Sequence, residues 1–104
     1  MRRFVHLGIN PLGVMAGVSD AWPPNFHAVL QSYLTQVVAD GDWIRYADQN
    51  YVLWTDADLT DLARGIAALT GFQIVYVFVT EFTLSQCSGW MPPTFWQWLR
   101  RPRA

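Results

Sequence analysis

Apolar and polar positions along the chain change period several times, and each change marks an element. From Arg3 to Ile9 most positions are apolar or β-branched, and the run stops at Asn10-Pro11. This predicts a strand, ended where proline cannot donate to a sheet ladder. The stretch "PLGVMAGVSDAWPP" has no helical period and is broken by Gly and Pro, so it reads as a long loop of the kind that often carries a role. Pro23 and Pro24 suit a helix's first turn, and Phe26, Val29, Leu30, Tyr33, Leu34, Val37 and Val38 recur at three- and four-residue steps before Asp40-Gly41. This is an amphipathic helix.

Two short runs rich in Trp, Tyr, Ile and Val follow in "DWIRYADQNYVLWTD", separated by Asp48-Gln49-Asn50, and predict a β-hairpin. Thr55 and Asp58 have capping-box spacing, and Asp56 and Asp58 suit the positive start of a helix. Leu59, Leu62, Ala63, Ile66 and Leu69 make that helix's apolar face, and Gly71 is placed to close it. Residues 73–82 are apolar at successive positions, the pattern of a strand covered on both faces. One layer of helices covers one face only, so the second cover in so small a protein is expected to be another copy of the chain. In the tail, Pro92-Pro93 can start a short helix whose Phe95, Trp98 and Leu99 share a face.

The predicted order is strand, helix, strand, strand, helix, strand and terminal helix. Helices between non-adjacent strands make the ferredoxin-like βαββαβ sandwich the simplest α+β arrangement, with one antiparallel sheet and two helices on one face. The chain's 104 residues fit one domain, 1–104. Hydrophobic residues make up 52% of it, which excludes a disordered chain. No apolar run approaches the roughly 20 residues of a membrane helix, and the early apolar stretch is interrupted by His6, Asn10 and Pro11 before it resembles a leader. A single cysteine, Cys87, excludes an internal disulfide and suits a reducing compartment, so the expected location is the cytoplasm.

Seven basic residues against eight acidic ones give no whole-molecule field toward nucleic acid. All seven are arginine, however, and Arg2, Arg3, Arg100, Arg101 and Arg103 lie at the two ends. If the termini meet, they form a local basic patch that could contact nucleic acid. Six tryptophans exceed what one small core requires, and this residue is enriched at interface hot spots. Trp43, Tyr51, Trp54, Trp90, Trp96 and Trp98 are therefore the expected interface residues of a homodimer.

The segments "FVHLGIN", "NYVLWTDADLTDLARGI", "QIVYVFVTEF" and "GWMPPTFWQWL" resemble, over most of the chain, small ferredoxin-like proteins related to the CRISPR-associated metal-dependent endonuclease subunit of spacer acquisition, including SinR-like relatives. In that family an aspartate at the end of the first strand, paired across a homodimer, holds the metal that activates water. The matching position here is Asn10. An amide supplies only a carbonyl dipole where facing carboxylates would concentrate negative charge, so the resemblance implies that the metal site is lost.

Other chemistry is sparse. His6 and His27 have no spacing to Ser85, Cys87 or Ser88 that demands a triad. Asp56, Asp58 and Asp61 are explained by helix capping. There is no Gly-rich phosphate loop and no Cys/His metal spacing. The expectation is a non-catalytic binding or protein-interaction module, homodimeric, without cofactor, metal or catalytic residues. The alternatives are a nucleic-acid binder using the terminal arginines, or a residual nuclease drawing on Asp20 or Glu81.

Overall fold

A computed structural model describes residues 1–11, 25–39, 41–70 and 75–103. The long loop with Asp20 and Trp22, the Pro23-Pro24 helix start, the closing Gly71 and positions 73 and 74 of the last predicted strand lie outside the described residues. Within them the chain is mixed α and β. Strand β1 (Arg3–Pro11) is followed by helix α1 (Phe26–Val37), β2 (Trp43–Ala47), β3 (Asn50–Thr55), α2 (Leu59–Ala68), β4 (Val75–Phe82), a 3₁₀ turn (Leu84–Gln86) and α3 (Pro93–Arg100).

The four strands form one sheet in the order β2-β3-β1-β4, and every neighbouring pair is antiparallel. Two antiparallel steps separate β1 from β2, and likewise β3 from β4, so each helical connection joins two parallel strands across an intervening third. The hairpin turn falls at residues 48 and 49, as its turn residues predict.

Alternation along the strands sorts side chains onto two faces. Val5, Leu7 and Ile9 of β1 and Tyr51 and Leu53 of β3 pack with Phe26, Leu30 and Leu34 of α1 and with Leu62 and Ile66 of α2 in the main core. The predicted face of α1 narrows to its four-residue ridge, since Val29 and Val37 stay exposed. Gly65 on α2 allows a close approach between the helices, because a Cβ there would collide with the Tyr33 hydroxyl of α1. The start of α2 differs from the predicted capping box. Asp58 itself is the cap, its carboxylate accepting from the Asp61 N–H at 3.1 Å, while the Thr55 hydroxyl accepts from Ala57 N–H. An extended Asp58 can satisfy a free helix donor directly, which leaves Thr55 to shape the preceding turn.

The opposite sheet face carries Phe4 and Val52, covered by Leu99 of α3 with Phe95, Trp96 and Trp98 around it. Eight residues of helix span only about 12 Å, so α3 cannot roof a four-stranded sheet. β4 shows the consequence. It is an edge strand, and its even positions are open: Tyr76 is 49% and Phe78 69% exposed. Among the described residues of one chain the second layer ends before it reaches these two rings, so the further cover expected for this strand is not supplied by α3.

Candidate functional site

The face left half-roofed by α3 gathers the molecule's unusual surface features. Next to β4, the β1 register sets Gly8 opposite Phe78 and Asn10 opposite Tyr76, and on the other side Gly8 faces Asn50 of β3. With no Cβ at Gly8 and amides at positions 10 and 50, the two aromatic rings stand over a low, uncharged floor. Farther along β1, His6 lies between Val52 and Thr80, and its Nε2 shares a hydrogen bond with the Tyr46 hydroxyl of β2.

Where this floor meets α3 there is a cleft of about 310 Å³. His6, Val52, Thr80 and Phe82 form its base, Tyr46, Phe95 and Trp96 line one wall, and residues 87–89 with Met91 make the rim. Phe95 meets Tyr46 edge-on at 5.1 Å between ring centroids and Trp96 at 5.4 Å. Burial pushes the His6 imidazole below its usual pKa and the Tyr46 phenol above its own, so both stay neutral near pH 7.

The six expected interface residues fall in different places. Trp90 is 101% exposed on the rim loop. Trp43 is half-buried against the main core, 6.0 Å from the Tyr51 ring. Trp54 is half-buried beneath α3 beside Phe4. Trp96 is half-buried with the Arg100 guanidinium over its ring at 5.5 Å. Trp98 donates from its indole N–H to the Gly41 carbonyl at 3.2 Å. Tyr51 drops out of the set, because its side chain is 0% exposed and its hydroxyl meets His27 Nδ1 at 3.1 Å beneath α1. An aromatic residue of a hairpin strand reaches a surface only if its alternation places it on the outer face, and position 51 faces the helices.

The terminal arginines do converge, and each has partners inside the chain. Arg2 and Arg101 both pair with Asp42, at 3.4 and 3.1 Å. Arg3 pairs with Glu81 at 3.0 Å and donates to the Thr55 and Ala57 carbonyls. Arg103 donates to the Trp98 and Leu99 carbonyls and lies over the Phe4, Trp54 and Trp98 rings. Arg100, as noted, covers Trp96.

Asn10 and Glu81 are not brought together. Asn10 is opposite Tyr76, whereas Glu81 is five residues farther along β4, roughly 17 Å away at strand rise, and alternation puts it on the other face. Among the described residues no three His, Cys, Asp or Glu side chains cluster as metal ligands. No described helix is long and apolar enough to cross a membrane.

The open aromatic pair on β4 was hidden in a stretch, 74–79, that is apolar at each successive position and so shows no alternation to separate inner from outer residues. The His6–Tyr46 bond joins residues 40 apart in sequence, and nothing local announces it. Compared with known proteins, the chain matches no family model, no curated protein and no solved structure.

Proposed function

We propose that the protein is a non-catalytic interaction module of ferredoxin-like architecture that acts in the cytoplasm as a homodimer, joined through the open half of its sheet. The 2-3-1-4 strand order and the two crossover helices on one face support the architecture. The observation that carries the interaction is the pair Tyr76 and Phe78, standing exposed side by side on an edge strand above Gly8 and Asn10.

Self-pairing fits this surface on electrostatic grounds. Across a two-fold axis a residue meets its own copy, so a charge near the axis repels itself. Gly8, Asn10, Asn50, Tyr76 and Phe78 carry no formal charge. The fully exposed Trp90, on the same side of the sheet, would supply a rim anchor. Kinship with the spacer-acquisition endonuclease subunit rests on the sequence motifs alone. Asn10 in place of an aspartate, and Glu81 on the opposite face, speak for a relative without nuclease chemistry.

Nucleic-acid contact through the terminal arginines is the weaker reading, since Arg2, Arg3, Arg101 and Arg103 would have to give up carboxylate or carbonyl partners. The test is mass by light scattering at micromolar concentration. The expected mass is twice the 11.9 kDa of the chain, falling to the single-chain mass for Phe78→Glu, which sets two carboxylates against each other. A single-chain mass for the unaltered protein, or a Phe78→Glu protein that stays dimeric, rejects the reading.

A further inference from the structure

We infer that the cleft between the sheet and α3 is a binding site for a neutral aromatic small molecule of two fused rings bearing one hydrogen-bonding group. The inference goes beyond self-association and does not depend on it, because every lining residue belongs to one chain.

Size gives the first argument. The cleft holds about 310 Å³; a cavity of roughly 150 Å³ accommodates benzene, so a space of about twice that volume suits a fused bicycle. It is at the small end of ordinary ligand pockets. Shape and chemistry give the second. Tyr46, Phe95 and Trp96 already meet edge to face along one wall, and a flat ring laid against them extends the same packing. Met91 at the rim offers a thioether able to conform to a ring.

Charge gives the third. Among the described residues no Asp, Glu, Lys or Arg lines the cleft, so a charged ligand would lose hydration without gaining a partner there. The polar groups present are the His6–Tyr46 pair, the Thr80 and Ser88 hydroxyls and the Cys87 thiol. Both members of the His6–Tyr46 pair are neutral near pH 7. A hydroxyl or ring N–H on the ligand would extend that pair at little desolvation cost.

The test is a ¹H–¹⁵N NMR titration of the full chain with 1-naphthol, repeated with 1-naphthoate and with 1-naphthylmethylammonium. The expected result is saturable shifts at Thr80, residues 87–89 and Phe95, with a dissociation constant on the order of 0.1 mM for a ligand this small. The two ions should bind at least tenfold more weakly. Thr80→Trp, at an exposed strand position where a large ring would fill the cleft, should weaken naphthol binding at least tenfold while keeping a folded spectrum. Tyr46→Phe should weaken naphthol several-fold and leave naphthalene unaffected. The same titration on Phe78→Glu should be unchanged, which separates this site from the dimer surface. Absent saturation, shifts confined to Tyr76 and Phe78, equal binding of the ions, or indifference to Thr80→Trp would each overturn the inference.

Discussion

His6 and His27 have ordinary pKa values near neutrality, and the fold shifts both. Burial lowers the pKa of both, and for His27 the Arg45 charge lowers it further while Asp48 opposes. A depressed histidine pKa means that the unfolded chain binds the proton more tightly. Stability is therefore whole above the ordinary histidine value near 6.5 and is lost as pH falls from there toward the folded-state value. The urea midpoint should drop between pH 7.5 and pH 5.5, and the drop should shrink in His6→Gln, which keeps a hydrogen-bonding group for Tyr46 without titrating. Equal midpoints at the two pH values would refute the coupling. Sequence placed both histidines on the right elements, yet their partners are 40 and 24 residues away. Such pairings depend on strand register, which local pattern does not encode. Trp54 has a buried indole N–H with no partner among the described residues, and nothing in the structure explains it.

Among the elements, α3 depends most on what surrounds it, since a helix of eight residues has no stability of its own. Leu99, next to last in the helix, pins it to the sheet at 1% exposure. Its last turn is held by the Trp98 indole on Gly41, by Arg101 on the Gly41 carbonyl and Asp42, and by the Arg103 fork on the Trp98 and Leu99 carbonyls. Gly41 suits this junction because its φ of +79° disfavours a side chain while its carbonyl accepts two donors. Arg103→Ala removes charge-assisted bonds to carbonyls and a stacked cation together, so it should destabilise the fold by about 2 kcal/mol. Denaturant unfolding followed by tryptophan emission measures this, and a loss below about 0.5 kcal/mol would mean the clamp is ornamental. The spacing of Phe95, Trp98 and Leu99 made the helix itself legible, as did the periods of α1, α2 and the hairpin. Where α3 docks was not legible, because a five-position apolar stripe fits any apolar surface of matching size. The edge status of β4 was masked for a related reason: "VYVFVTEF" is as apolar as a central strand, and only the strand order reveals which side lacks a neighbour.

At the scale of the whole molecule, one face of the sheet is closed by two helices, and among the described residues the other is roofed over half its width. A chain of 104 residues has little stability in reserve, and leaving Tyr76 (49% exposed) and Phe78 (69% exposed) in water forgoes burial worth on the order of 1 kcal/mol for each ring. An antiparallel edge strand that is long, apolar and nearly uncharged is also an invitation to indiscriminate pairing unless a specific partner covers it. If a second copy provides that cover, folding and association are linked, and thermal stability depends on concentration. For a pair of chains this size the unfolding entropy is on the order of 0.4 kcal/mol/K, and a tenfold change in concentration is worth about 1.4 kcal/mol. The melting temperature should therefore rise by about 3 °C for each tenfold increase in concentration. In Phe78→Glu the dependence should vanish, leaving a lower and constant melting temperature, whereas Val29→Glu on the exposed side of α1 should keep the full slope. A flat melting temperature for the unaltered chain across two decades of concentration would show that the open face does not contribute to folding through a second copy.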